Sequence, residues 1–416
     1  MVRPPLPAVS LRNRALVVAV VLACLVPVAF AAVQYSEPAA AGNVSEDRPV
    51  TFISTQGTEL GSGAKVVAID TETREVLWAN SSFRSYFDVD PIGDDRVLFA
   101  ASVEYGQMQA FVINWRTGEL VEQFWLPPNA HDVDYLGGDR YAIADKYDRA
   151  LVYDIRRETI VWNYSFEGRF PPSDGGVRPG DWTHMNDIDR VGEDKFLVSP
   201  RNFDRVMLIN QTTKSVVWTL GEEDNYSILY EQHNPTLLSR SPPTVLVADS
   251  ENDRVVEYRK DGPEWERTWT YGGMFIWPRD ADRMPNGNTL IVDSGGQRVV
   301  EVTPEGEMVW THDILRNPYD AERLEHGDEP GGPPSHRMAE NGTDVESVVR
   351  EPQRSIPSKL WSEAYFLSSW VFPAWVGPRE FTFVAAALAV GGGWLTVEVA
   401  TVAPGWIGRL RSRLGV

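Results

Sequence analysis

Three histidines fall at comparable points of a chain that otherwise reads as packing. They are His131 in "NAHDVDYLGG", His184 in "WTHMNDIDRVG" and His233 in "EQHNPTLLSR", separated by 53 and 49 residues. Asn186 lies two residues beyond His184, and Arg201 follows on the next strand, 17 residues after that histidine. Three imidazoles could hold zinc. Arginine and asparagine are poor partners for a cation, however, and suit an anion: the guanidinium fork binds two oxygens at once and the amide adds a neutral donor. An anionic group held by Arg201, Asn186 and histidine N–H donors, with another neutral imidazole free to attack it, describes group transfer through a covalent histidine intermediate. That chemistry calls for neither a metal nor a cofactor.

These residues need a scaffold that brings them together, and an internal repeat supplies it. Six segments recur, among them "KVVAIDTETREVLWAN", "RVMLINQTTKSVVWTL" and "RVVEVTPEGEMVWTHD". Each reads as a hairpin whose second strand ends in tryptophan: Trp78, Trp125, Trp162, Trp218, Trp269 and Trp310, spaced 37 to 56 residues apart. With two further strands upstream in most units, the repeat predicts an all-β chain, a six-bladed β-propeller. The first unit lacks its innermost strand, and "NPYDAERLEHGD" resembles an opening strand with no hairpin after it. N- and C-terminal strands are therefore expected to close the ring in one blade, leaving no open edge. The three histidines each sit at or just before the innermost strand of a successive blade, so they should meet at one mouth of the central channel. Strand register adds Trp277, Tyr319 and Tyr86 as funnel-lining residues able to stack on an aromatic substrate.

"THMNDID", the arginine of "SPRN" and "EQHNPTLL" together resemble the nucleotide-independent arylsulfotransferases of bacteria and archaea. The resemblance spans roughly residues 47–328. It implies a six-bladed propeller that moves a sulfuryl group from a phenolic sulfate ester to a phenolic or other hydroxyl acceptor by a ping-pong route. It also implies that His233 is the nucleophile that becomes sulfated, that His184, Asn186 and Arg201 hold the sulfuryl oxygens, and that His131 is a further donor and proton carrier. The chain departs from some periplasmic members in lacking their disulfide and extra N-terminal β-domain and in adding a C-terminal apolar span. Two rivals stand beside this reading: a surface-anchored propeller that binds a protein or glycan without catalysis, and a quinone-cofactor propeller, a type that usually has eight blades.

Bulk composition sets the surroundings. The 416 residues carry a net charge of -20, and only six of the 39 basic residues are lysine. Nucleic acid is excluded as a partner, since phosphate binding needs a basic surface. Such a surface fits a protein that stays soluble in high salt, as in a halophile. Cys24 is the single cysteine, so no intramolecular disulfide forms. Two apolar stretches flank the repeats, at 15–35 and 381–408, each with arginines on the side away from them. They read as membrane spans, or as a signal segment for the first, with residues 1–14 and 409–416 cytoplasmic and everything between outside. Six Asn-x-Ser/Thr sequons, the first at Asn43, fit export. Residues 47–328 form the expected catalytic propeller. Residues 329–380, with Trp361, Tyr365, Trp370 and Trp375, read as a stalk entering an aromatic interfacial segment or as a packed appendage of the propeller. Glu398 within the second span marks either a helix partner or a slightly shifted span, the latter preferred.

Overall fold

A computed structural model describes residues 11–34, 48–58, 63–104, 106–177, 181–314, 316–349, 356–373 and 376–414. Arg3, Asn43 and Trp375, and the side chains of Arg409, Arg411 and Arg413, lie outside what is described. The chain forms two compact units, Pro38–Phe372 and a pairing of the two terminal segments.

The larger unit is a six-bladed β-propeller. Each blade has four antiparallel strands, one blade adding Val348–Val349 parallel to its fourth, and each of the six tryptophans lies on the fourth strand. The indoles of Trp162 and Trp310 donate to the carbonyls of Gln211 and Thr71 on the next blade, both at 2.7 Å, so these two tryptophans tie neighbours together. The first blade is completed by Pro318–Arg323, which pairs antiparallel with Val50–Thr55 as its innermost strand. The expected closure by strands from both ends is thus present. An apolar cluster fills each of the junctions between adjacent blades, including the one between the sixth and the first. Burial is therefore continuous around the ring, and no blade could keep its faces dry alone.

Five of the six innermost strands carry an acidic-x-acidic pair: Asp88 and Asp90, Asp132 and Asp134, Asp187 and Asp189, Asp280 and Asp282, Asp320 and Glu322. The first carboxylate of a pair often accepts a backbone N–H from the next blade. Val89 donates to Asp320 at 2.8 Å, Val133 to Asp88 at 3.1 Å and Ile188 to Asp132 at 2.5 Å. These bonds fix the rotation of one blade against the next, which in turn fixes the residues just before each pair.

The helices are α1 (Leu11–Gln34), α2 (Ser335–Glu340), α3 (Ile356–Ser369) and α4 (Pro378–Leu414). The stretch expected as a stalk packs on the propeller up to Phe372, which is the appendage alternative. Ser335 caps the buried Glu257 carboxylate, Tyr365 is buried, and Ser369 donates to Asn317 at 2.8 Å. The reason is chemical complementarity: a buried carboxylate and amide on the propeller need donors, and this segment provides them. In the terminal unit, α1 and α4 each hold a segment long and apolar enough to cross a membrane, Arg12–Val33 and Pro378–Ala400. Glu398 pairs with Arg14 at 2.7 Å, so a helix partner accounts for it and a shifted span is not needed.

Candidate functional site

The residue just before each acidic pair faces the mouth of the channel. Read around the ring, these residues are Phe87, His131, Asn186, Arg279 and Tyr319. His131 stacks on His184 with ring centroids 4.9 Å apart, and Tyr319 lies 6.4 Å from His131 and 6.3 Å from His233. The three histidines therefore converge around Tyr319, as their repeat positions predicted. His184, Trp277 and Asn234 have positive φ, at 45°, 56° and 31°, a conformation that non-glycine residues adopt rarely and that concentrates at functional sites.

Two of the three histidines have a hydrogen-bond partner among the described residues, and Nδ1 of His131 is buried without one. His184 Nδ1 lies 2.5 Å from Asp181 Oδ1, and Lys146 Nζ approaches the same oxygen at 3.2 Å. Burial pushes the His184 pKa down to about 3, against the pull of Asp181. Burial opposes ionisation of Asp181, but the His184 hydrogen bond and charge and Lys146 bring it down to about 2. At neutral pH the pair is a carboxylate accepting from a neutral imidazole, so the His184 proton sits on Nδ1 and the Nε2 lone pair is free. His233 is almost fully buried, 2% exposed, and its Nδ1 lies 2.8 Å from Ser250 Oγ. That hydroxyl donates to the Pro278 carbonyl at 2.6 Å, so it can only accept from His233. The His233 proton is likewise on Nδ1, which leaves Nε2 unprotonated. Burial, then the charges of Arg279 and Arg201, hold the His233 pKa well below the usual range. His131 is shifted the same way by burial and by His184, Lys146 and the two arginines.

Arg201 stands one residue past its strand, in a one-turn 3-10 helix over Arg201–Phe203. Asn202 Oδ1 accepts from its Nε and Nη2 at 3.1 and 3.0 Å, and Glu231 lies 3.3 Å from Nη2. Asn202 in turn donates to the Asp181 carbonyl at 2.7 Å, binding the guanidinium and the His184 loop into one piece. Gly176 is required there, because a Cβ would stand 2.2 Å from that carbonyl.

Two expectations change. Asn186 donates to the Gln232 carbonyl at 2.9 Å and so anchors the residue before His233. Tyr86 is wholly buried in the core between the first two blades, packed against Phe83 and Phe99, with its hydroxyl on Asn80; it does not line the funnel. Neighbouring residues on a strand face opposite ways, and it is Phe87 that lies 5.0 Å from His131 and 5.5 Å from Tyr319.

Arg279 is a site residue that the sequence reading misses. It is 5% exposed, sits 3.7 Å over the Trp277 ring and 4.9 Å over Tyr319, donates to Gln56, and has no ion-pair partner among the described residues. Burial, with Arg201 nearby, pulls its pKa down to about 9, still cationic at neutral pH. The signal is present: "WPRDAD" puts an arginine at the position that holds His131 in "AHDVD". Trp277 lies 5.9 Å from His233 and 5.0 Å from Phe366, and Trp370 lies 5.9 Å from Arg279, giving an aromatic wall. A cavity of about 440 Å³ opens at this end, lined by His131, His184, Arg201, Arg279, Lys146 and Trp370. Four cations, Arg84, Lys146, Arg201 and Arg279, line the cavity, concentrating positive charge at this end of a chain of net charge -20.

The model of the arylsulfotransferase (ASST) family matches residues 139–272. Over that region the chain is similar to the arylsulfotransferase family. The match takes in His184, Asn186, Arg201 and His233, and the likeness supports a sulfotransferase-type activity on small molecules. No curated protein matches the chain. Solved structures similar to it include a protein of unknown function from Bacteroides caccae, 13% identical with a TM-score of 0.49, covering 66% of this chain and 98% of that one. A putative 6-phosphogluconolactonase from Bacteroides fragilis is 11% identical with a TM-score of 0.47 and coverages of 67% and 99%. The periplasmic gluconolactonase of Pseudomonas aeruginosa is 12% identical with a TM-score of 0.46 and coverages of 70% and 88%. Likenesses at this level carry no argument about function.

Proposed function

We propose that the chain is a membrane-anchored aryl sulfate sulfotransferase working by a ping-pong route through sulfated His233. The observation that carries this reading is the His233–Ser250–Pro278 relay, which presents a neutral imidazole with its lone pair on Nε2. Nε2 attacks sulfur, the N–S bond forms, and the S–O bond to the phenol breaks with the electron pair leaving on the phenolate. In the second half the acceptor hydroxyl attacks sulfur, the N–S bond breaks, and His233 regains its lone pair. Arg201 and Arg279 carry charge that matches the sulfuryl oxygens, whose negative charge grows during transfer; fixed donors in a dry site stabilise that state most. The aromatic wall of Trp277, Phe366 and Trp370 suits the phenyl ring.

His184 takes a different part from the one its family likeness implies. With its proton held on Nδ1 by Asp181, Nε2 accepts the proton of the acceptor hydroxyl, and the resulting imidazolium is stabilised by the carboxylate, as in a hydrolase triad. His131, stacked on it, is the next proton carrier.

The reading is tested with 4-nitrophenyl sulfate and phenol in high salt, recording intact mass after donor alone. Turnover and a donor-dependent gain of one sulfuryl group, both absent in His233→Ala, are expected. A folded wild type giving neither would replace the enzyme with a binding propeller. An adduct that persists in His233→Ala and disappears in His184→Ala would move the nucleophile to the histidine that lines the cavity.

A further inference from the structure

Beneath the histidines the channel changes character. The five acidic-x-acidic pairs, joined by Asp328 and Glu329 from the segment after the last strand, put twelve carboxyl groups around one axis. None of the twelve has a lysine or arginine ion-pair partner among the described residues. The backbone bonds between blades account for one oxygen of several first-position aspartates. They do not account for the rest.

A second observation concerns Asp280, Asp282 and Glu322. They are 4%, 3% and 3% exposed, and Asp280 Oδ2, Asp282 Oδ2 and Glu322 Oε2 have no hydrogen-bond partner. These three residues offer oxygens lying within 4.8 Å of one another. They line a cavity of about 30 Å³, room for an ion or a water or two, to which Asn234 also contributes; its amide Oδ1 is buried and unpartnered too. An unpartnered ionised carboxylate is among the costliest groups to bury. Three carboxyls and an amide oxygen facing one small space must therefore be neutralised there, by protons or by a bound cation.

We infer that the channel binds a divalent cation of the calcium type, with Asp280, Asp282 and Glu322 as ligands and Asn234 beside them. All four donors are hard oxygens, with no nitrogen or sulfur, which favours calcium or magnesium over transition metals. Oxygens bound to calcium at about 2.4 Å stand at most about 4.8 Å apart, and the three oxygens here fall within that limit; the irregular ligand set suits calcium better than octahedral magnesium. The ion would lock the first, fifth and sixth blades, the ring's point of closure. The inference is independent of the chemistry proposed for the histidine end.

The competing account is proton sharing, since Asp282 faces Glu322 and Asp280 faces Asp320 closely enough for one proton to bridge each pair. The full chain in detergent, stripped with EDTA, separates the two. Calcium alone is added at constant ionic strength and pH 7, and bound metal and Tm are measured for wild type and for Asp282→Asn/Glu322→Gln. The inference expects about one tightly bound calcium per wild-type chain and a Tm rise of about 5 °C or more, both lost in the variant. Wild type that takes up no calcium and keeps its Tm overturns it in favour of shared protons. Equal uptake by folded variant and wild type also overturns it, placing calcium on the acidic surface. Should the variant not fold, proton release decides: calcium added to stripped wild type at pH 6 must displace protons from these carboxyls, and calcium uptake without release refutes the site.

Discussion

At the mouth of the channel the inner strands present Phe87, His131, Asn186, Arg279 and Tyr319, five residues of four chemical kinds. One position further along, the same five strands present aspartate every time. Backbone geometry is shared by the two positions, so the difference lies in what each must do. A position that staples one blade to the next has the same task in every repeat and keeps the same residue. A position at the mouth has no task common to every repeat, although Asn186 there still bonds the next blade through the Gln232 carbonyl, and its residues diverge into a cation, an imidazole, an amide and rings. Within a repeat protein, divergence at a register that points into a cavity marks the site.

The most severe way to break the mouth is His233→Ala. Transfer should fall by at least about 10³-fold with the donor-dependent mass gain gone, while calcium binding at the other end is untouched. Loss of both together would mean that the two ends are one folding unit and that the contrast between them is false.

Arg279→Leu comes next. If this buried guanidinium holds charge developing on the sulfuryl group, kcat/KM drops about 10²-fold, with Arg279→Lys recovering little because a point charge lacks the fork. A second readout tests its electrostatic part. Arg279 is the largest charge depressing His233, so its removal should raise the pH at which activity fails in acid. In wild type, kcat/KM should stay level from pH 8 to about 5, because His184 titrates near 3 and His233 well below 6.5. An acid limb near 6.5 would mean that the imidazoles are hydrated and the dry site is wrong.

Much of this is legible in the residues alone. The hairpin period implies six blades, the missing strand and the orphan "NPYDAERLEHGD" imply the closure, and placement at or just before the innermost strands of successive blades brings His131, His184 and His233 together. What fails is register at single-residue precision. Attention to histidine as a residue type passes over Arg279, which occupies the same place in its blade as His131, and strand alternation taken one residue off puts Tyr86 in the funnel. Asp181 and Ser250 are beyond reach for another reason. They act from a loop and from a neighbouring strand end, and their pairing with the histidines depends on backbone turns with positive φ that local sequence does not announce. The packing of α3 has two readings in the sequence because an aromatic amphipathic segment reads alike against lipid and against protein.

The two ends should also titrate in opposite directions. His184, near 6.5 unfolded and about 3 folded, is kept neutral by the fold, so unfolding takes up a proton and stability falls as pH drops from about 6.5 towards 3. Asp320 and Asp328, pushed up by burial to about 7 and about 6, keep protons that the unfolded chain releases near pH 4. Unfolding then releases protons, and stability falls as pH rises from about 4 to 7. Metal-free protein should therefore show its highest Tm near pH 5, and calcium should lift the alkaline side alone. A Tm that rises steadily to pH 8 without calcium would show that the channel carboxylates already have counter-charges.

The smallest effect separates two adjacent residues. Tyr86 lies in the core between blades, and its hydroxyl donates to Asn80 and accepts from the Phe83 N–H, so Tyr86→Phe removes two hydrogen bonds, costs about 1–3 kcal/mol by denaturant unfolding, and leaves kcat and KM within about twofold. Phe87 lies against His131 and Tyr319 at the mouth, so Phe87→Ala should raise KM for the aryl donor about fivefold through lost ring contact. Reversal of the two results would restore the register in which Tyr86 faces the channel. It would also displace Arg279, because the same one-residue offset places both.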